Sequence, residues 1–222
     1  MLVVAHPDDE TLFFGGLLAS TSAQKTPWLV ICVTDGNADG NGKARARQFR
    51  RATAKLGIEH IAHWDFPDIY EKRLDLDALS SRLQALPRPK EIYTHGVLGE
   101  YGHPHHQDVC AAVFRAFDST KIPVWSAAYN CWPERDVRLS QALYQLKCEI
   151  LSGIYQAETR RFAHFLPATA TEGFTQLSAR EVKALYGFLT GGPAPSRRSL
   201  RAYRWYWTYL ETSGGQVAPR PF

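Results

Sequence analysis

The chain has 222 residues, 45% hydrophobic and 22% charged, enough for one sizeable packed core. Lys and Arg number 26 against 22 Asp and Glu, a net charge of +4 that permits an anionic partner without requiring one and does not call for nucleic acid. No apolar run reaches the ~20 residues a membrane-crossing helix needs, and the opening residues enter a strand pattern at once, so neither a transmembrane segment nor a signal peptide is expected.

Strand and helix signals alternate from the first residue. Short apolar runs at 1–5 and 28–34 predict strands covered on both faces, and 59–64 and 90–95 are weaker strand candidates. Helices are predicted at about 10–23, 43–56 and 74–86, then from Pro104 to Phe117, with a fifth strand from Val124 to Tyr129. This βαβα order predicts an α/β fold: a doubly wound, Rossmann-like, mostly parallel sheet with helices on both faces. The last third is less regular. A helix is expected at 139–157, extended or looped chain at 162–176, a helix capped by Ser178 and Glu181 running to Leu189, and a basic, aromatic helix at 197–211. No clean linker interrupts the chain, so residues 1–222 are expected to form one domain. Cys32, Cys110, Cys131 and Cys148 show no paired spacing, which fits reduced thiols in a cytoplasmic protein.

Two His-Pro segments about a hundred residues apart carry the chemistry: His6-Pro7-Asp8-Asp9-Glu10, and Tyr101-Gly102-His103-Pro104-His105-His106. Each falls after a strand and at a helix start, where Pro is favoured. With the strand order 3-2-1-4-5, the loops after the first and fourth strands flank the switch point and converge on one crevice. His6, Asp9 and His106 then form a set of two imidazoles and one carboxylate, the donor pattern of catalytic zinc, and also one that suits ferrous iron or another divalent metal. Asp8 is the candidate general base. His103 is the candidate acid or oxyanion donor, and the Tyr101 hydroxyl could add a second donor. His105, between the two key histidines, fits either a hydrogen bond to His103 or a place facing solvent. Cys110 is expected to be buried packing. His60, His63, His95 and His164 are assigned no role, and Glu10 is read as a first-turn helix acid. The loop from Asp35 to Gly42 lacks the distal Glu of an EF-hand and fits a mobile loop at a strand's carboxyl end. No serine-nucleophile elbow or phosphate loop occurs.

The opening Val3-Val4-Ala5-His6-Pro7-Asp8-Asp9-Glu10 resembles the AHPDDE signature of the PIG-L/LmbE-like deacetylases. Val33-Thr34-Asp35-Gly36, Arg45 with Gln48 and Leu56-Gly57, Thr94-His95, and the stretch Gly99 to His106 resemble further motifs of that family. The likeness covers about the first 115 residues, with weaker echoes at Lys147 and Tyr155-Gln156. It implies metal ligation by His6, Asp9 and His106, a base at Asp8, an acid or oxyanion group at His103 and a role for Tyr101. It also implies substrate contact by Arg45, and a C-terminal part, about 131–222, that shapes substrate choice beside a metal-binding core of about 1–130. The implied activity is zinc-dependent removal of an N-acetyl or other N-acyl group from an N-acetylglucosamine-type sugar or its conjugate. His105 departs from the usual Asp or Asn, and Gln48 from the usual Glu. An amidase acting on a non-sugar or thiol-conjugate substrate, and a non-catalytic metal or nucleotide-sugar binding module, are the alternatives. The Arg clusters at 45–51 and 197–204 suggest an anionic group on the substrate. The aromatics around residues 203–209 fit packing onto the sheet, a homo-oligomer contact or sugar stacking.

Overall fold

The computed structural model describes residues 1–22, 25–160 and 168–215. His164 and part of the 162–176 segment lie outside the described residues. The elements run β1 (Leu2–Val4), α1 (Asp9–Ser22), β2 (Leu29–Thr34), α2 (Gly42–Lys55), β3 (His60–Phe66), α3 (Leu76–Gln84), β4 (Ile92–Thr94), α4 (Pro104–Phe117) and β5 (Val124–Ala127). Then come β6 (Arg135–Arg138), α5 (Gln141–Glu149), a π-helical turn (Ile150–Ile154), α6 (Gln156–Thr159), β7 (Thr171–Thr175), α7 (Ala179–Leu189), a 3-10 turn (Arg197–Ser199) and α8 (Arg204–Thr212).

The sheet order is β3-β2-β1-β4-β5-β7-β6. The first five strands pair in parallel, as the alternating pattern predicts, with Val3 opposite Ile31 on one side and Thr94 on the other. β7 then pairs antiparallel with both β5 and β6. β6 escapes sequence reading, whereas β7 falls in the stretch expected to be extended or looped. β6 is a charged edge strand and β7 carries Gly173, so neither shows the apolar alternation of a half-buried strand. Gly173 is required by a close approach: a Cβ there would meet Pro133 at 2.9 Å.

Strand alternation divides the core in two. Leu2, Val4, Val30 and Cys32 face a cluster with α1, α2 and the π-helical turn, while Val3, Ile31 and Val33 face α3 and α4. Helix α1 is buried along residues 9–19, wedged between the sheet and α5. Two backbone N–H groups of α1, at Gly16 and Leu17, donate to the buried Glu172 carboxylate at 2.8 Å each, and Lys147 Nζ donates to it at 2.7 Å. The strand β7 that carries Glu172 thereby locks onto the first helix. A third cluster joins α4, α7 and α8 through Leu185, Tyr203, Tyr206 and Leu210. Tyr203 and Tyr206 are thus packed, against helices, while Trp205 and Tyr209 stay exposed. All four cysteines are free, Cys110 fully buried among them. Among the described residues, no helix is long and apolar enough to cross a membrane.

Candidate active site

Four loops at the carboxyl ends of β1, β2, β3 and β4 meet above the switch between β1 and β4, and a fifth segment after the π-helical turn closes one side. The result is a cleft of about 230 Å³ lined by His6, Asp8, Asp39, Arg45, Asp68, Tyr70, Tyr101, His103, Glu158 and Arg160, among others.

Asp9 is at the floor, 1% exposed, at the first residue of α1. His6 Nδ1 stands 3.4 Å from Asp9 Oδ2, and His106 Nε2 stands 3.3 Å from Oδ1. Asp9 Oδ2 also accepts from the His6 backbone N–H at 2.7 Å, which fixes the carboxylate between the two rings. Burial would raise the Asp9 pKa, but the imidazoles of His106 and His95 outweigh it and hold the group well below the usual carboxylate range.

His106 is oriented from behind. Its Nδ1 lies 2.6 Å from Glu100 Oε2, so that nitrogen carries the proton and Nε2 is left bare. Nε2 is buried without a hydrogen-bond partner. A buried imidazole nitrogen with a free lone pair, facing a buried carboxylate and backed by a second carboxylate, is the donor arrangement of a carboxylate–histidine–metal unit. Among the described residues, three sets of donors lie close enough together to hold a cation, His6–His103–His106, His6–Asp68–His105 and Asp9–His95–His106, and His6, Asp9 and His106 are distributed across them.

His95 belongs to the same assembly, contrary to its dismissal on sequence grounds. It is fully buried and stacks on His106 with ring centroids 3.9 Å apart. Its Nδ1 reaches Glu100 at 3.1 Å and its Nε2 lies 3.3 Å from Asp9. Burial lowers its pKa, but Glu100 and Asp9 reverse that and raise it to about 10. The Ala5 N–H donates to the same Nε2 at 3.0 Å, which asks that nitrogen to be unprotonated. A cation bound to Asp9 would remove one of the charges that favour the protonated ring, and so relieve this conflict. Glu100 opposes its own burial through His95 and His106 and is held down at about 2.

The loop that carries Glu100 is shaped by Gly99, whose φ is +72° and whose Cβ, if present, would meet the His103 carbonyl oxygen at 2.5 Å. His103 caps α4: its Nδ1 accepts the His105 N–H at 3.2 Å, which leaves Nε2 to carry the proton. Burial, with His106 and His6 beside it, holds the His103 imidazole well below its usual pKa. Its ring centroid lies 4.6 Å from that of His6. Tyr101 is half exposed at the mouth, its ring edge-on to His106 at 5.4 Å.

Asp8 adopts φ 129°, a region that costs a non-glycine residue energy and is tolerated where surroundings over-determine it. Its N–H donates to Glu10 Oε2 at 3.0 Å, and Glu10 Oε1 accepts from Thr11 Oγ1 at 2.6 Å and Tyr155 O–H at 2.9 Å. Glu10 is the first-turn acid of α1 that the sequence suggests, and, fully buried, it also clamps the Asp8 backbone. Burial raises the Asp8 pKa, against the pull of Arg45. Arg45 Nη2 donates to the Pro7 carbonyl at 2.8 Å and lies 3.5 Å from Asp8, and its Nη1 lies 3.5 Å from Asp68. Gln48 donates to Glu158 at 3.1 Å, which ties α2 to the cleft wall.

His105 does hydrogen-bond His103, but through its backbone N–H, and its ring does not face solvent. The ring is 2% exposed and makes its hydrogen bond to His6: Nδ1 lies 3.0 Å from His6 Nε2. Asp68, which the sequence did not single out, stands beside both, 3.6 Å from His6 Nε2 and 3.5 Å from His105 Nδ1. The His105 and His6 imidazoles outweigh burial and hold the Asp68 carboxyl well below its usual range. The cluster Arg197, Arg198, Arg201 and Arg204 does not line the cleft, and Arg201 pairs with Glu134 at 2.8 Å.

The model of the PIG-L family, described as GlcNAc-PI de-N-acetylase, matches residues 1–117, which include both His-Pro segments. The chain belongs to the PIG-L family. Among its PIG-L relatives is the N-acetylglucosaminyl-phosphatidylinositol de-N-acetylase of Saccharomyces cerevisiae, 30% identical over 135 residues, 55% of this chain and 44% of the yeast protein. A 1D-myo-inositol 2-acetamido-2-deoxy-alpha-D-glucopyranoside deacetylase of Saccharopolyspora erythraea is 28% identical over 179 residues, 62% of this chain and 58% of its own. The chain thus spans about half the length of the curated relatives it matches. The fold is shared with the N,N'-diacetylchitobiose deacetylase from Pyrococcus horikoshii, at a TM-score of 0.68 and 15% identity over 80% of this chain and 83% of that one.

Proposed function

We propose that this PIG-L chain is a metal-dependent N-deacetylase that removes an N-acetyl group from an N-acetylglucosamine-type sugar or conjugate. The observation that carries this reading is the bare, buried His106 Nε2, 3.3 Å from Asp9, directly beneath a cleft that also receives Asp8 and His103. His6, Asp9 and His106 would hold the cation. Zinc suits two imidazoles and a carboxylate, and ferrous iron suits them as well. Bound there, the cation supplies Lewis acidity toward an amide carbonyl.

The chain's own groups supply the rest. Asp8, held at the cleft wall by its clamped backbone and Arg45, takes the proton of the attacking water. Water's oxygen bonds to the acyl carbon and the carbon–nitrogen bond breaks. The proton goes to the departing nitrogen, giving a free amine and acetate. His103, with its proton on Nε2, donates to the carbonyl oxygen as negative charge builds there, and Tyr101 adds a hydroxyl from the mouth. Arg45 faces Asp8 and Asp68 in this structure, so its first action is to position the Asp8 loop, with substrate contact through the cleft face.

Among the described residues that line the cleft, the carboxylates Asp8, Asp39, Asp68 and Glu158 outnumber the guanidinium groups Arg45 and Arg160, which favours a neutral sugar over an anionic one. Tyr70 and Tyr101, 59% and 51% exposed, offer rings for the apolar face of a sugar. Ala157, Glu158 and Arg160 come from beyond residue 130 yet line the cleft, which supports one domain whose C-terminal part shapes substrate choice. The free cysteines support a cytoplasmic setting. The test is acetate release from neutral and anionic N-acetylglucosaminides, and from simple non-sugar acetamides, with and without a chelator. Chelator-sensitive release, fastest on neutral sugars, is expected. Release only from non-sugar amides would favour the amidase reading, and no release from any would remove the enzyme.

A further inference from the structure

We infer that His105 is a positioning residue that sets the tautomer of His6 and thereby aims the bare Nδ1 of His6 at Asp9. The inference rests on the metal centre proposed above, and deepens it.

The proton positions follow from the partners. His105 Nε2 lies 2.9 Å from the Lys72 carbonyl oxygen, which can only accept, so Nε2 carries a proton. In a neutral ring the other nitrogen, Nδ1, is then an acceptor. That Nδ1 is 3.0 Å from His6 Nε2, so the hydrogen between them belongs to His6. The Asp68 carboxylate stands 3.6 Å from His6 Nε2 and 3.5 Å from His105 Nδ1, too evenly placed to choose between the rings, so the 3.0 Å contact decides. With the His105 acceptor at hydrogen-bonding distance, the proton falls on His6 Nε2, and His6 Nδ1 is left with its lone pair toward Asp9, 3.4 Å away. The chain from Lys72 C=O through His105 to His6 thus does for one ring what Glu100 does for His106. The two imidazoles reach Asp9 with the same free-lone-pair polarity, one set by a carboxylate and the other by a neutral imidazole anchored on a backbone carbonyl. A metal ligand whose distal nitrogen is fixed in this way has its ring orientation and donor atom decided before the cation arrives.

His105 is 2% exposed and makes no hydrogen bond to His103 with its ring, so substitution should act on His6 and leave the His103 cap, made by the His105 backbone N–H, in place. His105→Leu removes the acceptor. His105→Asn keeps an acceptor oxygen close to where Nδ1 stands. The readouts are long-range 1H–15N correlation spectra of metal-free protein labelled at histidine, and zinc affinity measured by competition with a chromogenic chelator. In the wild type, His6 is expected as the Nε2–H tautomer. In His105→Leu it should become a mixture, with zinc affinity lower by about 10- to 100-fold, the range for losing a partner of a ligand histidine. His105→Asn should restore most of both. A wild-type His6 carrying its proton on Nδ1 would overturn the inference without needing any variant, as would a folded His105→Leu with wild-type zinc affinity. Failure of the metal centre itself would show differently: no zinc uptake by the wild type, whatever the tautomer of His6 in the metal-free protein.

Discussion

Glu100→Gln is the sharpest probe of the centre, because a carboxylate and an amide of the same shape differ there in a countable way. Glu100 Oε1 accepts the Gly96 N–H at 2.7 Å, and Oε2 faces His106 Nδ1 at 2.6 Å and His95 Nδ1 at 3.1 Å. A glutamine has one acceptor oxygen and one donor nitrogen, and so cannot serve both sides. Turned with its oxygen to the histidines, it sets NH₂ against the Gly96 N–H and leaves a buried donor unmatched, a cost of about 1–3 kcal/mol. Turned the other way, it donates to His106 Nδ1 and drives the proton to Nε2, the nitrogen the cation needs. Losing such a partner typically weakens metal binding about 10- to 100-fold, or about 1.4–2.7 kcal/mol. Urea unfolding of the metal-free variant and chelator competition for zinc read the two costs separately, and at least one must appear. The stability difference should also fade in acid. Glu100 is held at about 2 against an ordinary 4.5, so its contribution is present above pH 4.5 and is lost as the pH falls toward 2. A Glu100→Gln protein with wild-type stability at pH 7 and wild-type zinc affinity would refute the account of how His106 is oriented.

Three further predictions concern neighbouring parts. His106→Ala should lose the metal, whereas His103→Ala should keep it and lose turnover by about 10²- to 10³-fold; metal analysis beside kcat separates the two, and a fully active His103→Ala would remove its proposed role. Tyr155→Phe deletes the donor 2.9 Å from Glu10 and loosens the clamp on the strained Asp8 backbone, so kcat should fall several-fold while KM holds; an unchanged kcat would show that the clamp does not need it. Lys147→Ala strips the buried Glu172 carboxylate of its cation, 2.7 Å away, and should destabilise the protein by about 3–5 kcal/mol in urea titrations, a loss that a value below 1 kcal/mol would contradict.

The parallel half of the sheet was legible because its strands announce themselves twice, by apolar runs and by the helices between them. Val3 and Ile31 face one layer while Leu2 and Cys32 face the other, so nearly every residue of β1 and β2 is buried and the run carries no polar interruption. β6 and β7 lack that signature. Their pairing depends on contacts remote in sequence, above all Glu172 reaching the Gly16 and Leu17 amides, 156 and 155 residues away. No local pattern encodes such a partner. The helix expected at 139–157 was legible as helix, but not as α5 followed by a π-helical turn, and that turn places Tyr155 against Glu10.

The site divides along the same line. His6, Asp9, His103 and His106 could be named because each lies in a dense local segment at a helix start. Asp68 stands in no motif, and His95 is marked only by the short Thr94-His95 pair. Yet one rule reaches them: His95 follows β4 and Asp68 follows β3, both at carboxyl ends of strands that feed the crevice. The carboxyl ends of the strands that feed the crevice place His95 beside Asp9 and Asp68 beside His6. Ring direction is a different matter. Sequence spacing places His105 on the first turn of α4, but whether its imidazole meets His103, solvent or His6 depends on where the Lys72 carbonyl waits, and that carbonyl belongs to the β3–α3 connection. The proton on His6 is thus decided by a backbone oxygen more than sixty residues along the chain, through a ring that supplies no ligand itself. Motifs specify which donors assemble; which lone pair each donor presents is fixed by the surrounding fold.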